Sequence, residues 1–148
     1  MKRNSILLII IVIALIGMIV GCSNSLKTVS ADKTSISNQS MTVEISNLSY
    51  EEEYFSGTIT ISGQLVDEYL DNTTDEEQIM NYLTDNYKLF YLAGDKSGSL
   101  PVDEGGFTKK DDGNSFFTKS FKLYLKGDPK EIEVKIDGLE DPFIVSIN

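Results

Sequence analysis

The sequence has no histidine and no tryptophan, a single cysteine, Cys22, and a single arginine, Arg3. Without histidine it lacks the side chain most often used as a general base near neutral pH, which excludes Ser–His and Cys–His nucleophiles and a histidine-bearing zinc site. The 23 acidic residues leave a hydrolase built on paired carboxylates as the remaining catalytic alternative. We therefore expect that the protein is not an enzyme and uses no cofactor.

Cysteine usage also limits how the chain can be stabilised. Because Cys22 has no second cysteine to pair with, the chain forms no internal disulfide and has no cysteine-based metal site. An exported domain without a disulfide depends on the burial of apolar side chains, and the residues after Cys22 suffice for a single core. We therefore expect one domain.

The charge is strongly negative. The whole chain has 13 basic and 23 acidic residues, and removal of Lys2 and Arg3 leaves 11 against 23, a net charge of −12. We expect no nucleic-acid partner, since that affinity comes mainly from basic side chains that neutralise phosphates. The same negative field repels anionic lipid headgroups and anionic wall polymers. A protein or peptide partner is therefore expected to be neutral or cationic.

The first 22 residues have the features of an export signal. Lys2 and Arg3 precede an apolar run from Ile6 to Val20, which is followed by Gly21-Cys22. A secretory signal combines a positive region, an apolar region of roughly 7–15 residues and a small residue before the cleavage site. The sequence therefore predicts a signal peptide, residues 1–21, that is removed on export.

The end of this signal, Ile19-Val20-Gly21-Cys22, resembles the lipobox of bacterial lipoproteins. The resemblance implies that a diacylglyceryl group is attached to the Cys22 thiol, and two acyl chains hold a protein durably on a membrane. The alternative is an uncleaved transmembrane helix, which needs about 20 apolar residues, more than this run supplies. Both interpretations put the following domain on the extracytoplasmic face of the cell membrane. Plentiful lysine, isoleucine and asparagine beside one arginine indicate a Gram-positive source.

The rest of the chain divides into a polar segment and a β-rich domain. Residues 22–39 are rich in Ser, Thr, Asn and Lys without a sustained period, which predicts a lipidated cysteine on a flexible tether. Residues 40–148 show period-two alternation between turn signals, typical of an antiparallel immunoglobulin-like β-sandwich of about seven strands, with a small β-barrel as the alternative. The predicted strands cover residues 41–46, 55–65, 87–93, 105–110, 115–125, 132–136 and 143–147.

One segment of this domain has helical rather than strand periodicity. Apolar residues after Thr74-Asp75-Glu76-Glu77 follow helical spacing, and Thr74 with Glu77 matches a capping box. We predict a short helix from about Asp75 to Asp85. The following strand, residues 87–93, is apolar on both faces, so we expect the helix to cover it.

The same helical insertion contains the candidate functional residues. We predict a contact surface made of Tyr69, Asp71, Tyr82 and Tyr87, because tyrosine is favoured at binding surfaces; core packing is the alternative for the aromatic rings. Asp67, Asp71 and Asp75 are a weak calcium candidate, since hard oxygen ligands suit calcium. Their order does not match the Asp-rich calcium loop, and a solvated acidic face around a helix start explains them equally well.

Three functions from different classes remain compatible with the sequence. The first is a membrane-anchored extracytoplasmic lipoprotein that acts as a binding module for a protein, peptide or small ligand. The second is a structural or shielding lipoprotein without a defined ligand. The third is a carboxylate hydrolase, disfavoured because the chain has no histidine to serve as a base.

Overall fold

The structure is a computed structural model of the chain that describes residues 27–109 and 115–148. The described residues form ten strands and two helices, whose order along the chain switches several times between two sheets. The strands are β1 (Val29–Ala31), β2 (Ser35–Ser37), β3 (Thr42–Glu51), β4 (Tyr54–Ser62), β5 (Leu89–Ala93), β6 (Lys96–Ser99), β7 (Val102–Thr108), β8 (Phe116–Tyr124), β9 (Glu131–Ile136) and β10 (Phe143–Ile147). The helices are α1 (Gln64–Asn72) and α2 (Glu76–Asn86), both between β4 and β5.

Each sheet has five antiparallel strands. Sheet 1 has the order β1-β10-β9-β5-β6, and sheet 2 has the order β2-β3-β4-β8-β7. In the described part of the chain the two sheets stay open and share one hydrophobic core, which confirms the predicted β-sandwich over the small barrel. The prediction of about seven strands was too low because β1, β2 and β6 have only three or four residues, too few for alternation to be recognised.

The domain begins earlier in the chain than predicted. Val29 of β1 pairs with Ile147 at the chain end, and Ile36 of β2 pairs with Val43 in sheet 2. The prediction that residues 22–39 form a tether is therefore wrong from residue 28 onward; Cys22 and residues 23–26 lie outside the described residues. The polar composition of this segment concealed β1 and β2, because an edge strand of three residues needs only one or two half-buried apolar side chains.

The core lies between the sheets and follows the alternation of the longest strands. Along β4 and β8, every second residue is buried, and the rings of Phe55 and Phe121 contact each other at 5.2 Å between centroids. Gly57 makes this contact possible, since a Cβ at its position would lie 2.7 Å from the Phe121 ring. The apolar residues that alternate along β4, β8 and β9 are buried, among them Ile59, Ile61, Phe121, Leu123, Val134 and Ile136.

Helix α1 was not predicted from the sequence. The alternation of β4 extends numerically to Leu65, but Gly63 adopts φ 129°, a conformation that favours glycine, and the chain turns there into a helix. Val66 and Leu70, one helical turn apart, are fully buried, whereas Leu65 is exposed. Only two of the nine residues of α1 are buried, which is too few for a helical period to be recognised in the sequence.

Helix α2 begins and ends one residue later than predicted, and its cap differs. The carboxylate of Asp75 accepts hydrogen bonds from the backbone N–H groups of Glu77 and Gln78 at 3.0 and 3.1 Å. Asp75 is therefore the N-cap, and the predicted capping box of Thr74 with Glu77 is wrong. An N-cap side chain bonds the second and third helical N–H groups. In a helix that begins at Glu76 these groups belong to Glu77 and Gln78, so the N-cap is the residue just before Glu76.

The two helices pack on sheet 2. Helix α1 contacts β4 and β8, and α2 contacts β7, while Ile79 and Leu83 of α2 enter the core. The expectation that the helix covers residues 87–93 is therefore wrong. Strand β5 buries Leu89 and Ala93 in the core between the sheets, and Phe90 on its other face remains exposed.

A buried lysine connects α2 to the sheet beneath it. Lys119 of β8 shares the inward direction of Phe117 and is 1% exposed. Its Nζ donates a hydrogen bond of 2.7 Å to the carbonyl oxygen of Tyr87, the residue that ends α2. Burial lowers the pKa of Lys119 to about 8, partly opposed by Asp85. A cation at this helix end also complements the helix dipole.

Candidate functional site

Two of the predicted contact residues form a stacked pair between the helices. The rings of Tyr69 in α1 and Tyr82 in α2 are nearly parallel, at 7°, with centroids 3.7 Å apart. The Tyr69 hydroxyl donates to the carbonyl oxygen of Gln78 at 3.3 Å, which fixes the ring against α2. Both tyrosines are half-buried, so the pair combines a structural contact with accessible aromatic surface.

Tyr82 also lines a depression of about 270 Å³, which we call the aromatic groove. Its position is set by the end of β4 and the β9–β10 turn, which meet the C-terminal turn of α2. Leu65 lies at its margin and is 44% exposed. The groove is lined by Asn38, Ser40, Met41, Leu65, Tyr82, Asn86, Tyr87, Asp137 and Gly138.

Tyr87 lies in this groove, but not at the surface as predicted. It is only 5% exposed and belongs to the hydrophobic core, because the chain passes from α2 toward β5 at this point. Its hydroxyl has no hydrogen-bond partner among the described residues. Burial raises the pKa of Tyr87, and the nearby Tyr82 adds to the shift, so the phenol stays protonated at neutral pH.

Asp71 is not part of the groove. Its carboxylate faces Lys109, with 3.4 Å between Oδ1 and Nζ, and the same Nζ donates to the carbonyl oxygen of Leu70 at 2.9 Å. Lys109 follows β7 and thus satisfies the C-terminal end of α1. The structure therefore assigns Asp71 a structural contact and separates it from Tyr69, Tyr82 and Tyr87.

The three acids of the calcium candidate also have separate environments. Asp67 accepts a hydrogen bond of 2.8 Å from the backbone N–H of Ser115, Asp71 pairs with Lys109, and Asp75 caps α2. Across residues 27–109 and 115–148 there is no group of three or more acidic, histidine or cysteine side chains that could hold a metal ion. The weak calcium candidate therefore has no shared site.

Of three larger depressions, one of about 440 Å³ over β5 and β6 has no acidic residue in its lining, and the other two also lack the combination of features found in the aromatic groove. One, of about 560 Å³, lies between the β5–β6 and β8–β9 turns, where lysines and acids alternate. The other, of about 570 Å³, lies on the outer face of sheet 2, a surface of Ser and Thr side chains. Some of these hydroxyls bond each other across strands, such as Ser49 with Ser56 at 2.8 Å. Both depressions have simple explanations as solvated surface.

The aromatic groove also contains residues that the sequence patterns did not indicate. Leu65 was assigned to the predicted strand 55–65, and Asp137 lies just after the predicted strand 132–136. Asn38 is oriented by three hydrogen bonds, donating to Gly138 and accepting from the N–H groups of Ser40 and Met41. No local pattern points to these residues, because they come from three distant parts of the chain.

Charge distinguishes the helical segment from the rest of the chain. Residues 64–86 contain seven acidic residues and no basic residue, which accounts for more than half of the net charge of −12 after Cys22. The same segment supplies Leu65, Tyr82 and Asn86 to the aromatic groove. A field of this sign attracts cationic ligands and repels anionic ones.

The chain matches no protein-family model, no curated protein and no solved structure. In the part of the chain that the structure describes, neither helix is both long and apolar enough to span a bilayer. The predicted lipidation site, Cys22, lies outside the described residues.

Proposed function

We propose that this protein is an exported lipoprotein, anchored through Cys22 on the extracytoplasmic face of the membrane, whose β-sandwich is a binding module. The aromatic groove is its contact site, and the partner is a neutral or cationic protein or peptide. The observation that supports the proposal is the position of the groove at the end of the sandwich opposite to the end where the described chain enters it, at Lys27 and Thr28.

The chain enters the sandwich at the end that holds the β3–β4 and β8–β9 turns. Thr28 exchanges backbone hydrogen bonds with Asn148 at 2.8 and 2.9 Å, and the Lys27 ammonium lies 5.1 Å from the Tyr50 ring centroid and pairs with Asp128. Four residues separate Lys27 from Cys22, a stretch of at most about 17 Å when fully extended. An acylated Cys22 would therefore hold this end close to the membrane.

The groove lies at the other end of the same strands. Strand β4 runs from Tyr54, beside the entry end, to Ser62, and the groove is built after that strand finishes. At about 3.3 Å per residue, β4 separates the two ends by about 26 Å. This arrangement supports a domain that displays its groove toward the space outside the membrane.

The anchor is tested by Cys22→Ala. We expect the variant to accumulate as unlipidated precursor or to be released, and to lose its partition into a detergent phase, because Cys22 is the only thiol in the chain. Unchanged detergent partitioning would refute the lipid anchor.

The contact site is tested by thiol-directed photocrosslinking in intact cells. A cysteine is introduced at Leu65, beside the groove, or at Tyr124, which is 53% exposed at the entry end. We expect Leu65→Cys to form defined crosslinked products and Tyr124→Cys to form none of the same products. Equal labelling from both positions, or none from either, would support the structural or shielding alternative instead.

A further inference from the structure

The aromatic groove combines groups that suit a positively charged ligand. Tyr69 covers one face of the Tyr82 ring, and Tyr82 itself lines the groove. The exposed carboxylate of Asp137 lies in the same depression. An aromatic ring and a carboxylate are the two partners that bind an ammonium or guanidinium group most directly.

Tyr87 provides independent evidence for a ligand. Its side chain is more than nine-tenths buried, yet its hydroxyl has no partner among the described residues. No fully buried polar side-chain atom in that part of the chain lacks a partner, so the Tyr87 oxygen is not completely buried, and the residue lines the groove. A phenol can accept a hydrogen bond as well as donate one. A donor group in the groove would satisfy the Tyr87 oxygen.

Of the two side-chain amides of the groove, one offers an acceptor and the other is already committed. Asn86 donates through its side-chain amide to the carbonyl oxygen of Tyr82 at 2.8 Å, which leaves its own carbonyl oxygen to accept. Asn38 is committed to its three internal hydrogen bonds. Among the described residues that line the groove there is no basic side chain, so the site offers a cation several acceptors and no repulsion.

We infer that the aromatic groove binds the ammonium or guanidinium group of a lysine or arginine side chain in a peptide segment of the partner. This inference rests on the proposed function and specifies its ligand. The cation lies against the Tyr82 ring and is neutralised by Asp137. The seven acids of residues 64–86 attract basic segments to this end of the domain.

Binding is tested with the full-length chain in detergent micelles and four fluorescein-labelled peptides: hexalysine, hexaarginine, hexaserine and hexaglutamate. We expect the two cationic peptides to bind and the other two not to bind, as measured by fluorescence anisotropy. Because any acidic surface attracts an oligocation, the decisive readout is the effect of substitutions inside the groove compared with matched substitutions elsewhere.

Tyr82→Leu and Asp137→Asn should each weaken cationic-peptide binding by about 3- to 10-fold, the range expected for a cation–aromatic or carboxylate contact. The matched controls are Tyr124→Leu and Asp95→Asn, at the opposite end of the sandwich, and they should change the Kd by less than about 2-fold. Tyr82→Phe keeps the ring and should keep most of the affinity, which separates loss of the contact from loss of the fold.

The outcomes separate this inference from the proposed function. If groove and control variants weaken binding equally, or if the cationic peptides do not bind, the ligand assignment is wrong. If Leu65→Cys still forms its crosslinks in cells in that case, the groove remains a contact site for a different ligand. If the crosslinks are absent as well, both proposals are refuted.

Discussion

The buried Lys119 makes the stability of this domain depend on pH in a direction that can be worked out. Its pKa is about 8 in the folded protein against an ordinary value of 10.5, because burial penalises the charged form. Between these two values the unfolded chain binds more protons than the folded one, so the free energy of unfolding rises with pH. Below about pH 8 both states are protonated, and the penalty is constant.

From pH 7 to pH 9.5 the gain should be between about 1 and 2 kcal/mol, allowing for partial solvent screening of the ammonium group. In urea this corresponds to a rise of about 0.5–1 M in the unfolding midpoint. The pH range of the measurement must end below 10. Tyr50, Tyr87 and Tyr124 have raised pKa values in the folded protein, so at higher pH the unfolded chain loses these protons first and the free energy of unfolding falls. Since the chain has no histidine, no imidazole contributes to the change.

The assay is urea unfolding, followed by far-ultraviolet circular dichroism, of the wild type, Lys119→Met and Lys122→Met. Lys119→Met should remove the rise with pH, whereas Lys122→Met, an exposed lysine on the same strand, should retain it. The slope is the criterion rather than the absolute stability, because Lys119→Met also deprives the Tyr87 carbonyl of its donor. A midpoint independent of pH in the wild type, or an unchanged slope in Lys119→Met, would refute the reasoning.

Three further predictions concern single elements of the fold. Ile61→Ala should lower the free energy of unfolding by about 2–5 kcal/mol, while Thr60→Ala on the outer face should change it little; equal effects in thermal unfolding would contradict the assigned faces. Glu52→Asn should stabilise the β3–β4 hairpin by up to about 1 kcal/mol in urea unfolding, because Glu52 has φ 50°, a region that asparagine tolerates better. Asp75→Ala should cost about 1 kcal/mol and Thr74→Ala much less, and the reverse order would restore the capping box.

The proposed membrane location and the proposed contact site rest on different observations. The lipid anchor rests on the sequence around Cys22, and the contact site rests on the geometry of Leu65, Tyr82, Tyr87 and Asp137. They are connected by the short distance between Cys22 and Lys27, which limits how far the entry end can lie from the membrane. The Cys22→Ala and Leu65→Cys experiments therefore test the two parts separately.

Features that depend on local periodicity could be predicted from the sequence alone. The alternation in β4, β8 and β9 identified the buried face, because side chains alternate across a strand whatever its neighbours are. Helical spacing after Asp75 located α2 to within one residue at each end. The absence of histidine and the charge imbalance limited the possible chemistry on their own, because they depend on which residues are present and not on how the chain folds.

Which of the candidate site residues lie close together depends on the tertiary structure. Tyr69 and Tyr82 meet because two helices cross over one sheet, and Asp71 is drawn away from them by Lys109 on another strand's end. Tyr87 is buried because the chain turns into sheet 1 at that residue. Leu65 and Asp137, 72 positions apart by their residue numbers, line one groove for the same reason: such contacts depend on strand order and crossover, which no local period of the sequence encodes.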